Sequence, residues 1–257
     1  MRLGVSSAHV AYETVEELFE KLARYGFDLV EFWPTSVESG SAPDDLFHEI
    51  RTRAADGGIV VAYHAPYWIE WELTNPDLEA GLRSFDATLL TARKLGASHI
   101  VVHMGSEGDD RARALERVAG VLKAEATEIS GEGFMVHVEN VFSGLGSRPD
   151  DVAALLDALD AEWLGFNLDV GHAVLTGGAE SWVERLGPLV TYMHVHDNDG
   201  RDDRHLAPGD GSTDWPALLE RLHHTGFDGV VTLEYGERWG FEPTMAMVRR
   251  AFGGSDG

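Results

Sequence analysis

The sequence predicts an α/β protein built as a single (β/α)8 TIM barrel, and three observations point there. Eight short β-rich runs alternate with amphipathic stretches along the whole chain. The helix-to-strand joints repeat one form, seen in YGFDLVEF, LGASHIVV and TGFDGVVT, in which a helix-ending glycine leads by a short link into a buried strand. The 257 residues match the length that eight strand–helix units require.

The elements follow in order. LGVSS (3–7) opens the chain, and VEELFEKLARYG (15–26) follows with apolar residues at 15, 18, 22 and 23 on one helical face. LVEFW (29–33) and IVVAYH (59–64) are the second and third strands. LEAGLRSFDATLLTARKLG (78–96) reads as a helix that ends on a basic residue and a glycine stop, and it leads into HIVVHM (99–104). FMVHVEN (134–140), LGFNLDV (164–170) and VTYMHVH (190–196) come next. WPALLERLHHTG (215–226) starts after a capping Asp214 and stops at Gly226, and VVTLEY (230–235) completes the set. Strands that are each followed by a helix make a parallel sheet with right-handed crossovers. An open doubly wound sheet ranks second, because no Gly-rich phosphate loop stands at the first turn. One domain is expected over residues 1–252, with a frayed Gly/Ser/Asp tail at 253–257.

A hydrophobic content of 44% is ample for a core. No apolar run reaches transmembrane length, and the N-terminus lacks a charged start followed by a long apolar stretch. With no cysteine there are no disulfides and no thiolate metal sites, so a cytoplasmic location is expected. The formal net charge is −24, with lysine only at Lys21, Lys94 and Lys123. The acid excess is spread along the chain and reads as a solvated surface of the kind a salt-loving organism uses. Such a surface counts against nucleic acid as a partner. In molar salt, where the Debye length falls to ~3 Å, the argument weakens and nucleic acid stays open.

The chemistry lies at the strand ends, where barrels of this type carry their active sites. His64, His103, Glu139, Asp169, His194 and Glu234 end six consecutive predicted strands. His172 follows Asp169 by three residues, and Asp203 and His205 lie in the acidic loop MHVHDNDGRDDRHLAPGDG (193–211). Imidazoles and carboxylates without thiolate suit zinc, manganese, iron or cobalt. Nine such groups exceed what one ion takes, so two or three ions are plausible. Glu139 and Glu234, from the fifth and eighth strands, face each other across part of the mouth. His9, His48, His99, His137, His223 and His224 are read as caps, core or surface imidazoles, with His137 beneath Glu139.

Taken together, YHAPY (63–67), VVHMGS (101–106), VEN (138–140), LDVGH (168–172), MHVHDN (193–198), DRHLAPGDG (203–211) and LEY (233–235) resemble the xylose-isomerase-like TIM barrels. That superfamily holds sugar-phosphate isomerases and epimerases and also the endonuclease IV family of abasic-site nucleases. The resemblance to ketose 3-epimerases implies one metal on Glu139, Asp169, His194 and Glu234. The two glutamates would then move a proton on the sugar carbon, and His172 would touch substrate. The resemblance to endonuclease IV implies a trinuclear zinc centre that adds His64, His103, His172, Asp203 and His205.

There are departures on both sides. His196 stands where sugar isomerases of the group often carry lysine, and Leu145 stands where the epimerases place a second glutamate. Against the nuclease, the loops are short and lack basic DNA-gripping segments. Tyr67 and Trp68 occupy the loop after His64, where an aromatic ring serves to stack on a sugar face or to enter a duplex. The first expectation is a divalent-metal-dependent isomerase or epimerase of a small sugar, sugar phosphate or polyol, holding one to three ions of Zn, Mn, Mg or Co. Catalysis would rest on Glu139 and Glu234, with His172, His196 and Trp68 on the substrate. The second is an endonuclease IV-type zinc phosphodiesterase, and the third a metal-binding barrel without catalysis.

Overall fold

A computed structural model describes residues 1–34, 43–106 and 110–252. The expected tail at 253–257 lies outside the described residues. Eight parallel strands close into a barrel in sequence order: β1 (Arg2–Ser6), β2 (Leu29–Phe32), β3 (Val60–His64), β4 (His99–His103), β5 (Met135–Glu139), β6 (Leu164–Asp169), β7 (Val190–Val195) and β8 (Val230–Leu233). β1 pairs with β2 on one side and β8 on the other, so no strand edge is left open and the doubly wound sheet is excluded. All eight predicted runs are strands, with ends differing by one or two residues.

The helices begin and end where their sequences dictate. Thr14 caps Val15–Tyr25 by accepting from the Glu17 amide, and Gly26 ends it at φ 75°, a left-handed backbone that glycine adopts without a Cβ clash. Asp77 and Asp214 cap Leu78–Leu95 and Trp215–His224 in the same way. The apolar faces of the helices pack on the outward-facing strand residues, which forms the larger core around Val5, Val30, Tyr63, Ile100, Val138 and Leu168.

Strand side chains alternate between that outer core and the barrel interior. Leu29, Ala62, Val101, Tyr192 and Val230 form the small inner core. Two residues further along each of these strands lie Glu31, His64, His103, His194 and Thr232. The apolar inner layer therefore gives way to a polar one at the C-terminal mouth. One irregularity, a shift in the β6–β7 register at Phe166/Asn167, brings Asp169 directly opposite His194.

Candidate metal centre

The loop after β7 explains how two further ligand-type groups reach the mouth. Asp197 and Leu206 exchange backbone hydrogen bonds, which doubles the loop back on itself. The buried Asp197 carboxylate accepts from the Gly209 amide (3.0 Å), the Thr213 hydroxyl (2.9 Å) and the Trp215 indole (2.8 Å). Asn198 donates to Asp203 (3.1 Å) and accepts from the Arg204 amide (2.7 Å). So pinned, the loop carries Asp203 and His205 over the barrel, with His205 in the left-handed region at φ 47°. A non-glycine residue held there marks a position that its surroundings over-determine.

Four imidazoles each commit one ring nitrogen to a hydrogen bond, which leaves the other as the nitrogen a cation could take. His64 Nδ1 donates to the Ala65 carbonyl (2.7 Å), His172 Nδ1 to the Asn140 carbonyl (2.9 Å) and His205 Nδ1 to the Glu234 carbonyl (2.6 Å). A carbonyl only accepts, so each of these nitrogens carries the hydrogen. His194 is turned the other way, its Nε2 donating to the Glu31 carboxylate at 3.1 Å. In every case the remaining nitrogen faces carboxylate oxygens.

His194 Nδ1 lies 3.4 Å from Glu139 Oε2, 3.7 Å from Asp169 Oδ2 and 3.2 Å from Glu234 Oε2, yet it forms no hydrogen bond with any of them. His64 Nε2 and His103 Nε2 stand 3.3 and 3.5 Å from the two oxygens of Glu139. His172 Nε2 and His205 Nε2 stand 3.4 and 3.3 Å from Asp203 Oδ2. Ligand atoms ~2.1 Å from a tetrahedral ion are ~3.4 Å apart, so these separations match the edges of coordination polyhedra. Among the described residues, four groups of three metal-capable side chains have their ligand atoms within 4.8 Å of one another, including His64, Glu139 and His194, and Glu139, Asp169 and His172. The donor set is nitrogen and oxygen, suited to a divalent cation of the zinc or manganese type.

The electrostatics call for positive charge. Burial pushes the Glu139 carboxyl up, but the neighbouring His194 and His103 outweigh it and hold the group well below the usual carboxylate range. Asp169 is likewise lowered, burial being overcome by His172 and His196. Glu234 falls to about 2 because His194 outweighs burial. Burial lowers His194 and His172, but the surrounding carboxylates raise both well above the usual imidazole range. His205 rises to about 9, burial again being outweighed, chiefly by Asp203. With no metal, protons on the imidazoles balance the carboxylates; a divalent cation would displace them.

The centre borders a cavity of about 310 Å³. Trp33, Tyr67 and Phe142 make its apolar wall, and Glu139, His172 and Glu234 are among its polar lining. Tyr67 stands on that wall, whereas Trp68, expected there from its place in the loop, is not part of the lining. His196 is not part of it either. It is fully buried, its Nε2 meets both Asp169 oxygens (3.1 and 3.0 Å), and its ring stacks on His205 at 4.0 Å. Gly171 makes room for that ring, since a Cβ there would sit 2.0 Å from His196 Cε1. Leu145, at the position where the epimerases carry a second glutamate, is a buried core residue bridged to Gly105.

Several neighbours went unnoticed in the sequence. Glu31 is completely buried and accepts from Tyr192 Oη (2.7 Å) as well as from His194. Asn140 grips Asp169 through two hydrogen bonds, and Asn167 donates to Glu139 (3.0 Å). His9 stacks on His205 at 4.9 Å, inside the mouth and not in the bland position expected of it. Glu31 had a signal, as the one charge in the strand run LVEF; His9 had none.

A family model described as xylose isomerase-like TIM barrel matches residues 19–251. An uncharacterised protein of Methanocaldococcus jannaschii is 28% identical over 253 residues, covering 91% of this chain and 83% of its own length. A Symbiobacterium thermophilum protein described as a probable endonuclease 4 is 26% identical over 240 residues, 84% of this chain and 86% of that one. Among solved structures, a D-tagatose 3-epimerase-like protein superposes with a TM-score of 0.82 at 22% identity, covering 98% of both chains, a likeness of fold.

Proposed function

The chain belongs to the xylose isomerase-like TIM barrel family, and from that premise we propose a divalent-metal-dependent isomerase or epimerase of a small sugar, sugar phosphate or polyol. The observation that carries the reading is the convergence of Glu139, at the end of β5, and Glu234, directly after β8, on His194 Nδ1 at the wall of a cavity of about 310 Å³. That volume suits a monosaccharide-sized molecule better than a duplex. The solved D-tagatose 3-epimerase-like structure has the same fold.

Glu139, Asp169, His194 and Glu234 would hold the principal cation, with His64, His103, His172, Asp203 and His205 as ligands for any further ions. A bound divalent cation supplies Lewis-acid polarisation of adjacent hydroxyl and carbonyl oxygens. One glutamate carboxylate takes the proton from the carbon next to the carbonyl, and the C–H electron pair moves into an enediolate. The other glutamate, ionised at rest like its partner, would relay a proton drawn from solvent to the opposite face or to the neighbouring carbon as the enediolate collapses. Trp33, Tyr67 and Phe142 shield the reacting face from water and pack on the apolar face of the sugar. His196 acts from behind, holding Asp169 in place.

The test is solvent exchange. Metal-loaded protein is incubated in D2O with a panel of ketoses and ketose phosphates, and deuterium at the carbon beside the carbonyl is read by NMR. Incorporation that is lost in Glu139→Gln and Glu234→Gln supports the proposal, and no incorporation into any member of the panel removes it.

A second reading, a metal-dependent phosphodiesterase, is favoured by one observation. Imidazoles face both oxygens of Glu139, the arrangement of a carboxylate shared between two cations. A relative described as a probable endonuclease 4 agrees with it. The net charge of −24 opposes it, since phosphate contacts supply most nucleic-acid affinity. Cleavage of abasic-site DNA by the metal-loaded protein at high salt would replace the isomerase reading with this one.

A further inference from the structure

A second cavity, of about 700 Å³, adjoins the metal centre, and His205 lines both. It lies among the segments that follow β1, β7 and β8, and the last two are loops at which barrels of this architecture frequently bind phosphate. Its lining carries Arg204 from the first loop and Arg238 from the second. The one acidic residue among the described lining, Glu237, is already committed. Its carboxylate accepts from Lys21 (2.9 Å), Tyr25 (2.9 Å) and the Ala11 amide (3.1 Å), a set that neutralises its charge. Arg238 is exposed, with its guanidinium over the Trp239 ring at 5.3 Å. Arg204 gives one Nη to Asp199 (2.9 Å) and remains more than half exposed. Two guanidiniums on a cavity wall are a notable concentration in a chain of 20 basic and 44 acidic residues.

We propose that this cavity is an anion subsite, in which Arg204 and Arg238 hold a phosphate or carboxylate group of the substrate while its carbon skeleton passes His205 to the metal centre. The inference rests on the isomerase reading and narrows its substrate class from sugars in general to acidic ones. A guanidinium offers paired N–H donors to such an oxyanion, and a charge-assisted contact of this kind is worth about tenfold or more in affinity.

The test measures dissociation constants for a ketohexose 6-phosphate, the free ketohexose, a hydroxy-keto acid and inorganic phosphate. Tryptophan fluorescence and calorimetry are used on the metal-loaded wild type and on an Arg204→Gln/Arg238→Gln double variant. Both side chains are exposed, and unchanged metal content in the double variant shows that the centre is intact. The expected result is at least tenfold tighter binding of a charged ligand than of the free sugar, with that preference gone in the double variant. Whether phosphate or carboxylate gains more identifies the anion. Equal affinities in the wild type, a preference that survives in the double variant, or failure of all four probes to bind would each overturn the subsite. A preference that behaves as expected without solvent exchange would sink the isomerase reading and leave the subsite standing.

Discussion

The carboxylate of Glu31 accepts from His194 Nε2 at 3.1 Å, and this contact turns the other imidazole nitrogen toward Glu139, Asp169 and Glu234. A carboxylate behind a metal-facing histidine fixes its tautomer and raises its basicity. Glu31→Gln keeps the shape but replaces an obligate acceptor with an amide that can present its donor. The expected outcome is a folded protein whose affinity for Zn²⁺ or Mn²⁺ is about 10- to 100-fold weaker, read by chelator competition. Unchanged affinity would show that Glu31 does not orient His194.

Gly171→Ala tests the support behind Asp169. The new methyl would sit 2.0 Å from the buried His196 ring, which must move and release the Asp169 carboxylate. A loss of about 1–3 kcal/mol in urea unfolding is expected, as for an overpacked core, together with weaker metal binding. Wild-type values for both would mean that the ring accommodates the methyl without disturbing Asp169.

Asp197 is assigned to architecture. Removing its carboxylate in Asp197→Ala strands the Gly209, Thr213 and Trp215 donors and frees the loop that carries Asp203 and His205. About 3 kcal/mol of stability should be lost, and any ion held by Asp203 and His205 should go before any held at His194. Denaturant titration paired with metal counting checks both.

Most of the fold was legible, because eight buried parallel strands with glycine-stopped helices leave little choice of architecture. The candidate ligands were legible for the same reason: a period of two places His64, His103, His194 and Glu234 on one face, and the strand ends place them at one mouth. Glu31 obeys the same period and was overlooked through its position on an early strand without a neighbouring motif. Which of Tyr67 and Trp68 faces the cavity depends on loop dihedrals that no spacing encodes. His9 meets His205 only because the chain closes β1 against β8, a contact between residues far apart in sequence. The burial of His196 depends on the bare Cα of Gly171, and the strand pattern alone gave no sign of it.

The lower barrel predicts a pH dependence that owes nothing to metal. Burial lowers His99 to about 4 and His137 well below the usual imidazole range, and the two rings are hydrogen-bonded to each other at 2.9 Å. Their folded values lie below the unfolded value of ~6.5, so the unfolded chain binds more protons between the two. Stability is therefore fully present above pH ~6.5 and declines as pH falls toward 4. Unfolding free energies of the wild type and of His99→Gln across that range should show a shallower decline in the variant; parallel curves would remove His99 as a cause.

The central claim is that the carboxylates and imidazoles at the barrel mouth surround divalent cations, and anomalous diffraction from crystals grown with Zn²⁺ or Mn²⁺ tests it most directly. The account predicts a peak about 2.0–2.2 Å from His194 Nδ1 and bounded by Glu139, Asp169 and Glu234. Density without such a peak at saturating metal, with these four side chains hydrogen-bonded to one another, would contradict it.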